Sequence, residues 1–279
     1  LLGEWQRAEE MIRRALELGL RENYIHVAGI YDSLAELYIL RGEIDEAEEL
    51  LQKAVTIAEE RDSRWYKLQA MRNIARCHLL KGETPLAIAT AEATIEQAHE
   101  AGDKHYANMA GIVLAEGLMI EGDPEESENA LREIESNDPR SDYFVLGNIQ
   151  RIRGLLALKN KERELAIHFF SRALTTFEAG FDPFHQAKMH VLLAENLGSD
   201  NVVRARRHLA AAGEIYKRLG LNDRSQNVHE ASQRLEAESK ALPSRPGSER
   251  RKNAVISQLL TVRLAEATAS RELLFRELV

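Results

Sequence analysis

The sequence predicts an all-α protein, a solenoid of stacked helix pairs, and three observations carry that reading. In Tyr31–Glu60, apolar residues recur at helical spacing on both sides of a tight turn at Arg41-Gly42-Glu43. The same unit then returns: Gly3, Gly42, Gly82 and Gly122 are 39, 40 and 40 residues apart, each followed by Glu or Asp. Five residues after each glycine stands a small residue, Ala8, Ala47, Ala87 or Ser127. Finally, only 6 Pro and 6% aromatics in 279 residues suit helices better than strands.

The elements follow in order. Lys161 with Ala166, then Asp200 with Ala205, continue the phase. This predicts six second (B) helices at roughly 4–18, 44–60, 84–101, 124–136, 162–179 and 201–219. Five first (A) helices are expected at roughly 24–41, 65–81, 105–121, 142–159 and 184–197, the first repeat lacking its A helix. Gly42 ends one helix, while Asp45 and Glu46 suit the start of the next. Gly19, Gly102, Gly180 and Gly220 are expected to end B helices. Ala35, Ala75, Ala115, Gly154 and Ala194 let each A helix approach its partner, and Leu34, Leu51, Ile74, Leu114, Leu131 and Phe170 fill the gaps. One such unit cannot bury its apolar stripe alone, and stacking completes the core.

Tyr31, Leu34, Ala35, Tyr38, Ala47, Leu51 and Ala54 resemble, in order, the signature of the tetratricopeptide repeat. The resemblance spans about 1–220 and holds well over 71–97. It departs where Ser127 and Ile134 replace alanines and where Arg153 replaces leucine. The period is near 40 rather than 34, so the helices are longer. Long-helix versions resemble the sensor regions of large bacterial regulators, including the maltose-regulator class, as do Ala-Gly-Asp at 101–103 and Tyr-Lys-Arg-Leu-Gly at 216–220. The resemblance implies a right-handed superhelix of about six helix pairs plus a C-terminal helix.

Beyond Gly220 the pattern changes. Asp223–Ala241, with Val228, Ala231, Leu235 and Ala237 on one side, reads as a capping helix, so 1–241 forms the solenoid. Residues 242–253 carry Leu-Pro-Ser-Arg-Pro-Gly-Ser and read as a linker. Residues 254–279 place Val255, Leu259, Val262, Ala269 and Leu273 near heptad spacing, a connector helix able to pair in a homodimer. That segment resembles the helix leading into a GAF domain in sigma-54-type bacterial activators. The chain opens on Leu1 in mid-repeat and is expected to be a domain of a longer protein.

Composition excludes several functions. The net charge of −8 argues against a nucleic-acid binder. One cysteine, Cys77, allows no intrachain disulfide and fits a reducing cytoplasm. No run of about 18 apolar residues suggests a membrane span. No phosphate loop, nucleophile elbow or metal-ligand spacing occurs, so no enzyme activity, metal or cofactor is expected. Of nine histidines, His78 takes the repeat's tyrosine position and reads as packing, while His99 and His105 straddle a turn. Glu43, Glu46, Glu48 and Glu49 read as a solvated face.

Recognition is what remains. In the repeat family A helices line the concave face, and repeat phase puts Asp32, Glu36, Arg72, Asn73, Arg76, Glu116, Asn148 and Arg151 there. Arg72, Asn73 and Arg76 suit an acidic or C-terminal group of a peptide, since guanidinium and amide offer forked donors. Equally, the acidic and basic rows of adjacent repeats could simply pair with one another. The expected function is a protein- or peptide-binding sensor of a bacterial cytoplasmic transcriptional regulator. The alternative is a free-standing adaptor or co-chaperone-like scaffold.

Overall fold

The computed structural model describes residues 5–139 and 142–241. Among these are twelve α-helices, one short 3-10 turn at Gly198–Asn201 and no strand. The B helices are α1 (Trp5–Arg21), α3 (Ile44–Glu60), α5 (Thr84–Glu100), α7 (Pro124–Ser136), α9 (Arg163–Ala179) and α11 (Val202–Arg218). The A helices are α2 (Val27–Arg41), α4 (Arg64–Lys81), α6 (Lys104–Glu121), α8 (Tyr143–Lys159) and α10 (Pro183–Leu197). The last helix, α12, runs Asn222–Ala241. Two compact units divide after Glu236; of the second, only 237–241 is described, so the linker and connector segments lie outside the described residues.

Each A helix packs against its own B helix and the preceding one, and successive A helices touch: α2 with α4, α4 with α6, α6 with α8. The molecule is therefore a solenoid whose inner face is built from A helices. The small residues sit in the joints as expected: Ala35, Ala47, Ala75, Ala87, Ala115 and Ala166 are fully buried. A Cβ at Gly154 would come within 2.4 Å of the Phe170 ring, so the B-helix aromatic fills the space that glycine leaves. Ser127 replaces an alanine without loss because its hydroxyl donates to the carbonyl of Ala115, 2.7 Å away. Buried Cys77, its thiol pushed up to about 12 mainly by burial, is packing. His78 is buried too, with Nδ1 2.8 Å from Glu83 Oε2.

Several expectations are corrected. Gly19 does not end α1; the helix runs on to Arg21, and Asn23 takes the left-handed conformation instead. Gly19 is needed for close approach, since a Cβ there would lie 3.0 Å from Val27. Gly180 keeps a right-handed conformation, and the exposed Phe181 makes the turn with φ 53°. Tyr143 packs where a Gly180 side chain would stand. Leu114 and Ile74 are only partly buried, Glu48 is drawn off the solvated face into an ion pair with Lys81, and Ala237 is exposed.

Candidate functional site: the polar inner face

Every one of the eight phase-assigned side chains lies on an A helix, and the structure joins them across repeats. On α2, Asp32 is 1% exposed and accepts from Asn73 Nδ2 at 2.8 Å and Gln69 Nε2 at 2.6 Å, both on α4. Burial pushes the Asp32 carboxyl up to about 6, against the opposing pull of Arg72 and the two amides. Glu36 lies 3.8 Å from Arg76, a loose contact. Glu116 on α6 grips Arg151 on α8 through both oxygens, at 2.8 and 2.5 Å, and Arg151 Nε donates to Asn148 at 2.8 Å. Burial alone would raise Glu116; the charge and hydrogen bonds of Arg151 reverse that and hold it at about 2.

Pairing is incomplete. Arg72 is 6% exposed, yet its Nε and Nη1 have no hydrogen-bond partner. The buried side-chain oxygens of Gln69 and Asn73 are also unpartnered. Four of the six unsatisfied buried side-chain atoms among the described residues thus belong to one turn of α4. Native interiors rarely leave such groups unmet, because each costs desolvation that nothing returns.

Residues that repeat phase had not singled out complete the face. Lys188 on α10 stands in the same phase as Asn148 and Gln69, six residues ahead of Ala194, Gly154 and Ala75, so repeat alignment could have found it. Its ammonium has no carboxylate at ion-pair distance among the described residues and lies 6.0 Å from the Phe184 ring centroid. Burial first, then the positive charge of Arg151, pushes it down to about 7 against the opposing pull of Glu116, with Arg76 and Arg224 adding to the fall. Arg224 of α12 lies over the rings of Phe184 and Tyr216, at 5.1 and 6.0 Å. Asp182 caps α10 and holds His185 Nδ1 at 2.8 Å; burial nevertheless pushes that ring down to about 4. His105 does not meet His99; it pairs with Asp142, the N-cap of α8, at 3.1 Å.

A cavity of about 210 Å³ opens between Glu36 and Leu40 on α2, Tyr143 and Phe144 on α8, and Phe184 and His185 on α10. Opposite walls of the superhelix thus face each other across a narrow axis. Among the described residues, no three His, Cys, Asp or Glu side chains cluster as a metal site would require, and no helix is long and apolar enough to cross a membrane.

A tetratricopeptide-repeat profile matches residues 1–60 and 26–99. No curated protein sequence matches the chain. Three solved structures share its fold at 14% identity. RapI in its apo form gives a TM-score of 0.58, over 86% of this chain and 94% of that one. A Rap protein complexed with Competence and Sporulation Factor gives 0.56, over 85% and 71%. PH0952 of Pyrococcus horikoshii, a signal-transduction ATPase with numerous domains and a tetratricopeptide-repeat sensor, gives 0.52, over 86% of this chain but 41% of that one. The fold is that of tetratricopeptide-repeat solenoids.

Proposed function

We propose that the chain is the protein- or peptide-binding sensor module of a bacterial cytoplasmic signalling protein, a transcriptional regulator, and that the inner face is its binding face. The observation that carries this reading is the unmet set on α4: buried donors on Arg72 beside buried acceptors on Gln69 and Asn73, all unpartnered in the free chain. A bound chain brings both carbonyls and N–H groups, which answer both needs. Likeness in fold to a Rap protein complexed with a factor, and to an ATPase with a repeat sensor, supports the same direction. Binding would be passed along 254–279, whose apolar stripe would pair with the same helix of a second chain. Contact with nucleic acid or membrane is no part of this role.

Two experiments test it. A displayed random-peptide library is selected against the full chain and the enriched peptides are reassayed on variants. Asn73→Ala and the double variant Arg72→Ala, Arg76→Ala should lose binding, while Glu49→Ala on the outer face should keep it. Loss only with the outer-face change would reject the site. Light scattering should find a dimer that becomes a monomer when the chain is cut after Ala241; a monomeric full chain would reject the connector.

A further inference from the structure

All six B helices carry the same lengthwise stripe, and five of them cover it. The stripe starts at the small residue near the head of the helix and continues three, seven and ten positions on, as Ala47, Leu50, Ala54 and Ile57 do on α3. Its first position is fully buried in α3, α5, α7, α9 and α11. Its third position, Ala54, Thr94, Ile134, Ala173 or Ala212, is at most 2% exposed. The second and fourth are half-buried in all five. On α1 the same phase gives Ala8, Met11, Ala15 and Leu18. There Ala8 is only half-buried, Ala15 is exposed, and Met11 and Leu18 are 65% and 41% exposed. Each of the five covered helices packs against the A helix that precedes it; among the described residues α1 has no such helix before it.

Beside this bare stripe lies a groove of about 360 Å³, walled by Ile12 and Ala15 of α1, Gly29 and Ile30 of α2, and Trp65 and Tyr66 of α4. No Asp, Glu, Lys or Arg lines it. Five of the thirteen exposed large apolar side chains among the described residues fall within 11–25, so the apolar surface is gathered at α1 rather than scattered. The exposed charges on the same helix, Glu10, Arg14 and Glu17, are of both signs, so apolar contact rather than net charge selects what fits. Small residues at 8 and 15 let a second helix come close. The A helices of this chain meet such alanines with a large residue followed by a small one: Leu34-Ala35, Ile74-Ala75, Leu114-Ala115 and Leu193-Ala194.

We propose that an amphipathic helix of a partner protein docks on α1 in the place that an A helix holds in every later repeat. Its apolar side carries a large–small pair against Ala8, Met11, Ala15 and Leu18, and it turns no charge toward the groove. The contact continues an interface that the chain already builds five times, and covering the stripe removes apolar surface from water. It is separate from the inner face and stands without it.

Fluorescence anisotropy of the full chain with a labelled peptide copying α6, residues 104–121, and with the same residues scrambled, tests this. The copy carries Leu114-Ala115 and no cysteine. It should bind, and the scrambled peptide about tenfold more weakly or worse. Met11→Glu sets a charge against the incoming helix and Ala15→Trp fills its place, so each should weaken the copy about tenfold or more. Both side chains are exposed, so the melting temperature of each variant should stay near that of the parent, which guards against a variant that merely misfolds. Asn73→Ala on the inner face should leave the copy bound. Equal binding of copy and scramble, or full binding by both α1 variants, would overturn the docking site. Loss of the copy with Asn73→Ala alone would move it to the inner face and overturn the proposal as well. Self-association of the full chain in sedimentation that Met11→Glu abolishes would put a second copy of the chain on α1 and overturn the partner helix.

Discussion

Leucine at 51 and phenylalanine at 170 hold the same place in different repeats, four residues after Ala47 and Ala166, and each is fully buried. Where Phe170 fills the joint, the facing helix supplies Gly154; where the smaller Leu51 stands, it supplies Ala35 in the same phase, with Leu34 beside it. Truncating Leu34 or Leu51 to alanine leaves a cavity and should cost about 2–5 kcal/mol. Glu49→Ala on the outer face should stay within about 0.5 kcal/mol. Urea melts of the purified variants decide, and equal effects would reject the register. Leu114→Ala should fall between them, because that side chain is only partly buried. Periodicity identified these joints in the sequence, since a small residue every 40 positions has a packing cause. It could not grade Leu114 against Leu34, because exposure depends on how far the next repeat slides over the helix. The candidate side chains of the inner face were legible in the same way and to the same depth. Phase put Asp32, Arg72 and Arg151 on one face, but whether a charge is answered depends on distances that phase does not contain.

At the scale of the helix, both the turns and the caps have local causes. Gly42, Gly82 and Gly122 close their helices in the left-handed region, and Asp103, Asp123, Asp142 and Asp182 cap the helices that follow them. Asp103 was visible in Ala-Gly-Asp; Phe181 as a turn residue was not, because nothing in its side chain favours a positive φ. Two histidines between helices make stability depend on pH. Burial pushes His185 down to about 4, and His208, Nδ1 2.8 Å from Nδ1 of His190, is likewise pushed down to about 4 by burial and by that neighbour. Both rings bind a proton more readily once the chain unfolds. Their contribution is whole above about pH 6.5 and is lost as pH falls toward 4. Asp32, raised to about 6 by burial, acts in the opposite sense: its contribution is present below about pH 3.8 and is lost as pH rises through 6. The urea midpoint should therefore fall between pH 7 and pH 5. His208→Asn should flatten that fall and Asp32→Asn should steepen it. A midpoint level across the range in all three proteins would reject the assignment.

At the scale of the whole superhelix, the first helix meets the last ones. Trp5 is 3% exposed and its ring centroid lies 6.0 Å from that of Phe184. Trp5, Leu37 and Leu40 from α1 and α2 share one apolar cluster with residues of α10, α11 and α12. Repeat spacing shows none of this. It fixes which helices are neighbours, while the return of residue 5 to residue 184 arises from small rotations accumulated over five repeats. This seam is built differently from the joints between consecutive repeats. A cleft of about 580 Å³ lies beside Trp5, between Glu9 and Arg41 on one side and residues 219–224, the turn and start of α12, on the other, and the 210 Å³ cavity also borders Trp5. The Trp5 indole N–H is buried with no acceptor. The adjoining cleft and the unmet donor are features that lower local stability. Trp5→Ala should open it locally. Hydrogen exchange read by mass spectrometry should speed up in α1, on the inner turns of α2 and across 219–224, while α4 to α9 exchange as before. Acylation of Lys188 by a soluble active ester should rise with it, since burial lowers the pKa of that amine and the half-buried side chain becomes easier to reach. Uniform acceleration along the chain would mean that Trp5 merely supports the global fold. Unchanged exchange and unchanged Lys188 labelling would mean that Trp5 does not hold this seam closed.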